Sequence, residues 1–511
     1  MGQIIERPNF AVWLKDQVIE PVRAMKVAYL PFLMVYFAYG LTGVTGIAAF
    51  YWTKDVLKFS ATELQLAAFW VGVPWTLKML FGQFVDVRPI LGSPRRAYIF
   101  VGAACVACGY LLFAGLAGGW PPIVQLGSSL GVYYIASVVV AVGLVIQDVT
   151  ADAMTSEMNT GDERDARSIQ ILGRIAVALG GLVAASFAST IALIGSNEDA
   201  NDSYHIVFLI ACVVPLVSIL GAIIWKQRSF DRSEWNKPIL FGGLGFALFV
   251  IAIQFMPLSG KAEVVWLGTA IAVGTFLYIL ARKLDKKVIR ALIAVATVAF
   301  VFRSMPSAGP GVGWWQVDVL GFDQEFLGRL QIIGSVLGLL GLVFAARHLR
   351  NYSVAPVLAF LTVVGTILTL PTVGMYFGLH HWTEAHFGFG ARTIAIVDLA
   401  LESPFGHLSM VPILAFIAMV ARFGNPATWF ALAASLMNLA LSTSSITTKW
   451  LTQLYPVSQA TREASVIVVQ ADYSNLGTLM ILVTVMGFIL PLLMIWIFRK
   501  QLNYRIETPS Q

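Results

Sequence analysis

An all-α membrane protein of about 14 spanning helices is the fold class this sequence predicts, and three observations predict it. Of 511 residues, 58% are hydrophobic and 12% charged, where a soluble domain carries roughly 25% charged residues. Apolar stretches of bilayer-crossing length recur from end to end; about 20 residues are needed, because lipid leaves no backbone group another partner. The connecting segments alternate between basic and cation-poor. The net charge of +6 follows from that alternation and is no sign of nucleic acid, so no nucleic-acid partner is expected.

Residues 1–26 mix Glu6, Arg7, Lys15, Asp16, Glu20 and Arg23 with apolar residues and have no continuous apolar core. They read as a cytoplasmic amphipathic segment rather than a cleavable signal. Residues 27–226 then hold six spans, near 27–52, 64–87, 97–117, 128–152, 168–194 and 205–225. Residues 227–287 form a cytoplasmic linker with two extra spans near 239–257 and 264–282. Residues 288–498 hold six more, near 288–317, 323–348, 354–378, 390–422, 427–450 and 473–498, and 499–511 is a cytoplasmic tail.

Arg88, Arg95 and Arg96, then Arg164 and Arg167, then Lys226, Arg228, Arg232 and Lys237, then Arg282, Lys283, Lys286, Lys287 and Arg290 all fall on one side. The positive-inside rule makes that side cytoplasmic. The opposite segment 196–204 carries Glu198, Asp199 and Asp202 without a cation, whereas Lys449 and Arg462 break the pattern on the external side. Cys105, Cys108 and Cys212 lie within spans; they read as packing residues, with neither disulfide nor metal nor cofactor expected. No phosphate-binding Gly-x-x-x-x-Gly-Lys-Ser/Thr loop and no sizeable soluble segment is present, so neither an ATP-driven pump nor an enzyme is expected.

The two halves share a short pattern. Ser60, before the second span, and Asp323, before its counterpart in the later half, both occupy helix N-cap positions. Ser60 and Glu63 have capping-box spacing. Such a pattern is what duplication of a six-helix unit leaves behind.

Lys78 inside an apolar helix, followed by Gly82, Asp86, Arg88, Gly92, Arg95 and Arg96, resembles the major facilitator superfamily signature. A wider set is similar to the folate–biopterin transporter family of that superfamily. It comprises Pro74-Trp75 with Lys78; Asp148, Asp152, Ala153 and Glu157; Gly321-Phe322 with Phe326-Leu327-Gly328-Arg329; Pro412 with Ala421-Arg422; Ala427-Thr428 with Phe430-Ala431 and Asn438; Leu451-Thr452; and Tyr473-Ser474-Asn475-Leu476. The resemblance implies two six-helix bundles about a central cavity, joined here by a two-helix insertion that a twelve-helix transporter lacks. It also implies gradient-driven movement of a small organic anion, a folate or pterin being favoured, by alternating access. The stretch Gln147-Asp148-Val149 with Asp152-Ala153 is similar to muropeptide permeases of the same superfamily and supplies a rival cargo. A scaffold or assembly factor that keeps the fold without moving cargo is the alternative from another class.

A charge at the bilayer centre costs about 2.5–3.5 kcal/mol even on the lenient insertion scale, so each one needs a partner or a cavity. Lys78 lies at mid-depth, either to attract a substrate carboxylate or to pair with an acid of a neighbouring helix. Arg303 precedes Pro306, Gly309, Pro310 and Gly311, which must interrupt the seventh span of the duplicated fold. Its bidentate guanidinium suits a carboxylate; a snorkelling helix-end arginine is the alternative. Asp398 and Glu402, one turn apart before Pro404, suit proton coupling in competition with Arg303, or else a fixed pair between helices. Asp148 and Asp152, with Gln170 and Arg174 on the next helix, are expected in an inner gate with Asp86, Arg88, Arg95, Arg96 and Glu157, direct substrate contact being the alternative. Tyr36, with Tyr29 and Tyr39, forms a stripe on the first helix, and Trp75, with Trp70, Trp314 and Trp315, adds faces on which a planar ring can stack. Substrate contact is therefore assigned to Lys78, Arg303, Trp75 and Tyr36, proton coupling to Asp398 and Glu402. The expected setting is the lipid bilayer of a bacterial inner membrane, both termini cytoplasmic, the protein a monomer with protons and an anionic small molecule as partners.

Overall fold

In the computed structural model, residues 19–23, 25–158, 163–195, 203–226, 234–282, 284–348, 354–406, 426–463 and 466–502 are described. Most of the expected 1–26 and 499–511 segments therefore lie outside the described residues, as do Pro412, Ala421 and Arg422. A helix occupies at least part of each apolar stretch. The first six are α1 (Val27–Val56), α2 (Ala61–Val87), α3 (Arg96–Ala117), α4 (Ser129–Met158), α5 (Glu163–Gly195) and α6 (Tyr204–Ile224). The insertion is α7 (Lys237–Phe255) and α8 (Lys261–Ala281). The later half is α9 (Lys286–Arg303), α10 (Gly311–Asp318), α11 (Gln324–His348), α12 (Val354–Tyr376), α13 (Leu379–Phe387), α14 (Ala391–Gly406), α15 (Pro426–Leu454) and α16 (Leu476–Ile497). Two short antiparallel strands, β1 (Thr461–Glu463) and β2 (Val466–Val469), precede α16.

Ten helices among the described residues are long and apolar enough to cross a membrane. The stretch read as one span near 288–317 is two helices, because Pro306, Gly309 and Pro310 end α9 and restart the chain as α10. Both capping expectations hold in geometry. Ser60 Oγ accepts from the Glu63 N–H while the Glu63 carboxylate accepts from the Ser60 N–H, and Asp323 Oδ1 accepts from the Phe326 N–H at 2.7 Å.

Within the first six helices α3 lies along α4 and α1 lies along α5 and α6. A Cβ placed on Gly40 of α1 would stand 2.0 Å from the Val177 carbonyl oxygen, so this crossing admits only glycine. In the later half α11 packs on α14 and α12 on α16. The halves meet through two equivalent pairs, α2 with α15 and α5 with α11, which is the cross-pairing a duplicated unit produces.

The insertion reaches both halves: α7 rests on α2, and α8 on α15 and α2. One end is fixed on α15, where Lys449 pairs with Glu263, Trp450 Nε1 donates to Glu263 at 3.1 Å and Trp266 Nε1 donates to Thr443 Oγ1 at 2.9 Å. At the other end Gln83 of α2 accepts from the Asn236 N–H at 2.8 Å and Phe84 meets Trp235 edge to face. Lys449, the cation that broke the loop pattern, is thus a buried helix-facing residue neutralised by the insertion.

Candidate functional site

The centre of the first half is built by a bend in α2. Pro74 lies inside the helix, which turns out of α geometry at Leu77 (φ −88°, ψ 6°) and resumes at Lys78. The Trp75 carbonyl at the bend accepts from Asn438 Nδ2 of α15 at 2.9 Å, tying the bend to the other half. Lys78 Nζ donates to Asp148 Oδ2 at 2.6 Å and Asp152 Oδ2 at 2.9 Å. The Tyr36 hydroxyl donates to the remaining oxygen of Asp152 at 2.7 Å. Arg174 is exposed on the neighbouring helix within electrostatic range of Asp148 and the Tyr36 hydroxyl. The Tyr39 ring stands edge-on to Trp75 at 6.0 Å. One ammonium is therefore shared by two carboxylates one turn apart, beside aromatic walls.

This grouping differs from the expected one. Asp148 and Asp152 face α2 and take Lys78, while the arginines of the following loop pair elsewhere. Arg95 Nε donates to Glu157 at 2.7 Å, and its Nη1 donates to Asp86 at 3.1 Å and to the Val85 carbonyl at 2.7 Å. Arg96 donates to the Ala222 and Trp225 carbonyls at the end of α6, at 3.0 and 2.6 Å. Arg88 is exposed, and its carbonyl accepts from the Tyr98 hydroxyl. Asp86, Arg95 and Glu157 thus form one network, joined by neither Asp148 nor Asp152. The Gln170 side chain lies outside the described residues. Of the aromatic candidates, Trp314 and Trp315 are only 1% and 4% exposed in a hydrophobic core and Tyr29 is buried against Phe32, so these three offer no stacking face.

In the later half, Arg303 is half-buried at the end of α9. The interrupted stretch beyond it leans on α15: Thr448 Oγ1 accepts from the Ser307 N–H at 3.0 Å and Ser444 Oγ donates to the Met305 carbonyl at 2.7 Å. Hydroxyls of a neighbouring helix thus satisfy two of the backbone groups freed by the interruption. Asp398 is 8% exposed and accepts from the Thr372 hydroxyl at 2.8 Å, its polar partner being this threonine and not Arg303. The Glu402 side chain lies outside the described residues.

One cluster escaped sequence reasoning. Lys54, 2% exposed near the end of α1, donates to Asp318 of α10 at 2.8 Å and to Asp55 at 3.0 Å. Asp318, 6% exposed, also accepts from the Tyr473 hydroxyl at 2.6 Å. The Tyr51 hydroxyl donates to the Phe322 carbonyl nearby, and Gln459 donates to the Phe59 carbonyl. These contacts seal the halves at the end opposite the Arg95 network. The available signal was Lys54 and Asp318 themselves, each the first charge after an uncharged run, 46–53 and 311–317.

Two bundles in cross-paired contact, with ion pairs at both ends and a charged centre, are the architecture of a major facilitator transporter. The BT1 family profile matches residues 39–510, and the chain belongs to the BT1 family. It is 26% identical over 471 residues to a folate-biopterin transporter of Synechocystis, covering 91% of this chain and 80% of that one. It is 21% identical to folate transporter 2 of Plasmodium falciparum (82% and 79% covered) and 24% identical to the probable folate-biopterin transporter 2 of Arabidopsis thaliana (80% and 72%). Among solved structures, a POT family transporter bound to 5-aminolevulinic acid superposes with a TM-score of 0.66 at 12% identity, covering 93% of this chain and 96% of that one. A proton-dependent oligopeptide transporter gives 0.61 at 17% identity, with 93% and 97% covered. These structures share the fold. The protein is an integral membrane protein of a transporter family, and its partner is a small molecule.

Proposed function

We propose that the protein is a proton-coupled secondary transporter of a folate- or pterin-like organic anion, working by alternating access between a 27–226 bundle and a 288–498 bundle. The observation that carries this reading is the Lys78 ammonium held between Asp148 and Asp152 beside Tyr36 and Trp75. An arriving carboxylate competes with Asp148 and Asp152 for Lys78, and a proton taken up by either acid frees the ammonium for it. Proton and anion then favour one another at a single centre, which is the linkage symport requires. The folate and folate-biopterin transporters among the relatives support the cargo.

Arg303 grips a second carboxylate from the later half, with Asp398 and Glu402 as the proton-responsive acids there. Asp86, Arg88, Arg95, Arg96, Glu157, Gln170 and Arg174 serve the inner gate, and Lys54, Asp318 and Tyr473 close the outer one. The protein acts as a monomer in a bacterial inner membrane with both termini cytoplasmic.

The test is uptake of labelled folate by proteoliposomes under an inward proton gradient. Accumulation abolished by a protonophore and by Lys78→Met supports the proposal. Folded protein that takes up no folate rejects that cargo, and uptake indifferent to the protonophore rejects proton coupling.

A further inference from the structure

Between the insertion and the two halves lies an open cleft bounded by α7, α8, the bend of α2 and α15. Successive glycines create it. A Cβ on Gly243 would stand 3.0 Å from Leu80 of α2, and one on Gly242 would stand 2.9 Å from the Phe276 ring of α8. The helices therefore touch there and leave a trough alongside. The trough is apolar, with Leu77, Leu80, Phe276 and Leu432 on its walls. Two of its wall hydroxyls are already spent: Thr76 donates to the Val73 carbonyl and Thr269 to the Val265 carbonyl, each at 2.7 Å. Such a surface asks for hydrocarbon.

Bilayer lipid is at hand, since Phe241, Leu248 and Ile271 on the outer faces of the same two helices are 67%, 67% and 62% exposed. The end of the insertion near the cleft is basic. Lys237 starts α7 two residues before the lining Ile239, Arg282 follows α8, and Lys286 and Lys287 open α9, all exposed. Near a membrane surface such cations attract anionic lipid.

We infer that this cleft holds one acyl chain of an anionic phospholipid whose headgroup sits at the basic end of the insertion. The chain lies directly behind the α2 bend that presents Lys78, so its occupant supports the geometry of the central site from outside. The inference concerns the insertion and stands whatever the transported solute.

The experiment uses the full-length protein in nanodiscs containing phosphatidylglycerol or phosphatidylcholine with the same photoreactive acyl chain, and maps labelled peptides by mass spectrometry. The expected result is label on residues 237–246, 269–276 and 76–80 from phosphatidylglycerol in excess over phosphatidylcholine. Filling the trough by Ala272→Trp is expected to remove that label, and Lys237→Gln with Arg282→Gln to erase the preference between headgroups. Ile239→Trp fills the trough from the opposite wall and replaces Ala272→Trp if that variant fails to fold. Label spread equally over the lipid faces of α6 and α16, or unchanged by both tryptophans, overturns the site. Label lost with the tryptophans but equal for both lipids overturns the anionic headgroup.

Discussion

The closure built on Lys54 and Asp318 makes the most demanding prediction, because its charges are buried and unequally supported. Lys54 has two acceptors, Asp318 at 2.8 Å and the 41% exposed Asp55 at 3.0 Å. Asp318 has Lys54 as its cation and the Tyr473 hydroxyl as a neutral donor. Removing one partner of a buried pair costs about 3–5 kcal/mol, mostly the uncompensated charge left behind. Lys54→Met strands Asp318 on a single hydroxyl and should approach that full cost. Asp318→Asn leaves Lys54 with Asp55, near water, and should cost less.

Separating the halves at this end hydrates these groups, so the cost falls on the closed state alone and shifts the balance toward the form open at this end. A shift of about 3–5 kcal/mol corresponds to roughly two to three and a half orders of magnitude. The assay is an electron-spin distance measurement between labels at Lys58 and Val319, exposed on the two halves beside the closure, in a variant lacking the native cysteines. Lys54→Met should convert the short distance to a longer one, Asp318→Asn should do so partially, and the exchange Lys54→Asp with Asp318→Lys should restore part of the short population. Lys54→Met with Asp318→Leu should act in the opposite direction, since replacing a buried pair by apolar residues is neutral or stabilising by about 1–4 kcal/mol. A distance unchanged in both single variants, or a larger effect for Asp318→Asn than for Lys54→Met, would refute the reasoning.

At the centre, Lys78→Met alone should abolish gradient-driven uptake and lower thermal stability by a few degrees or more, and adding Asp148→Asn should recover stability without recovering uptake; both are read by a melting curve and a proteoliposome assay. Arg303→Ala should lose uptake with normal membrane insertion, and normal uptake would remove Arg303 from the substrate path. Lys449→Met should leave Glu263 uncompensated and speed hydrogen exchange at the start of α8, while Lys449→Met with Glu263→Gln should return it toward the wild-type rate. In the short helix α13, burial and the neighbouring His381 hold His380 below the usual histidine value of 6.5. The folded state therefore favours neutral His380, and its contribution is present above pH about 6.5 and lost as pH falls below it. Exchange in Leu379–Phe387, corrected for its intrinsic rate, should rise between pH 7.5 and pH 5, less so in His380→Asn.

Much of the fold was legible because bilayer physics is legible. A run of apolar residues at Val27–Val56 or Leu476–Ile497 has one low-energy arrangement in lipid, and the prolines at 306 and 310 announce a break wherever the helix happens to pass. Capping at Ser60 and Asp323 was readable for the same reason, since a helix start needs a local acceptor for its free N–H groups. Lys449 was not readable. Its partner Glu263 is 186 residues away on an inserted helix, and loop-charge counting treats every cation as solvated.

The site shows where that limit falls. Spacing placed Asp148 above Asp152 on one face of α4, yet one face of a helix still has several possible neighbours. The choice of Lys78 over Arg95 depends on the bend at Leu77, which turns Lys78 toward α4, and on Glu157 and Asp86 already occupying Arg95. Charge pairing in a membrane protein is a matching problem among all intramembrane charges together, since each misassigned partner leaves another charge stranded at a cost of kilocalories. Assigning Asp148 and Asp152 to Arg95 would have left Lys78 without an acid. The Lys54–Asp318 closure obeys the same arithmetic. Lys54, buried at the end of α1, meets its buried acceptor Asp318 from the other half, so that ion pair exists only while the halves are together, and its breaking is part of any motion that separates them.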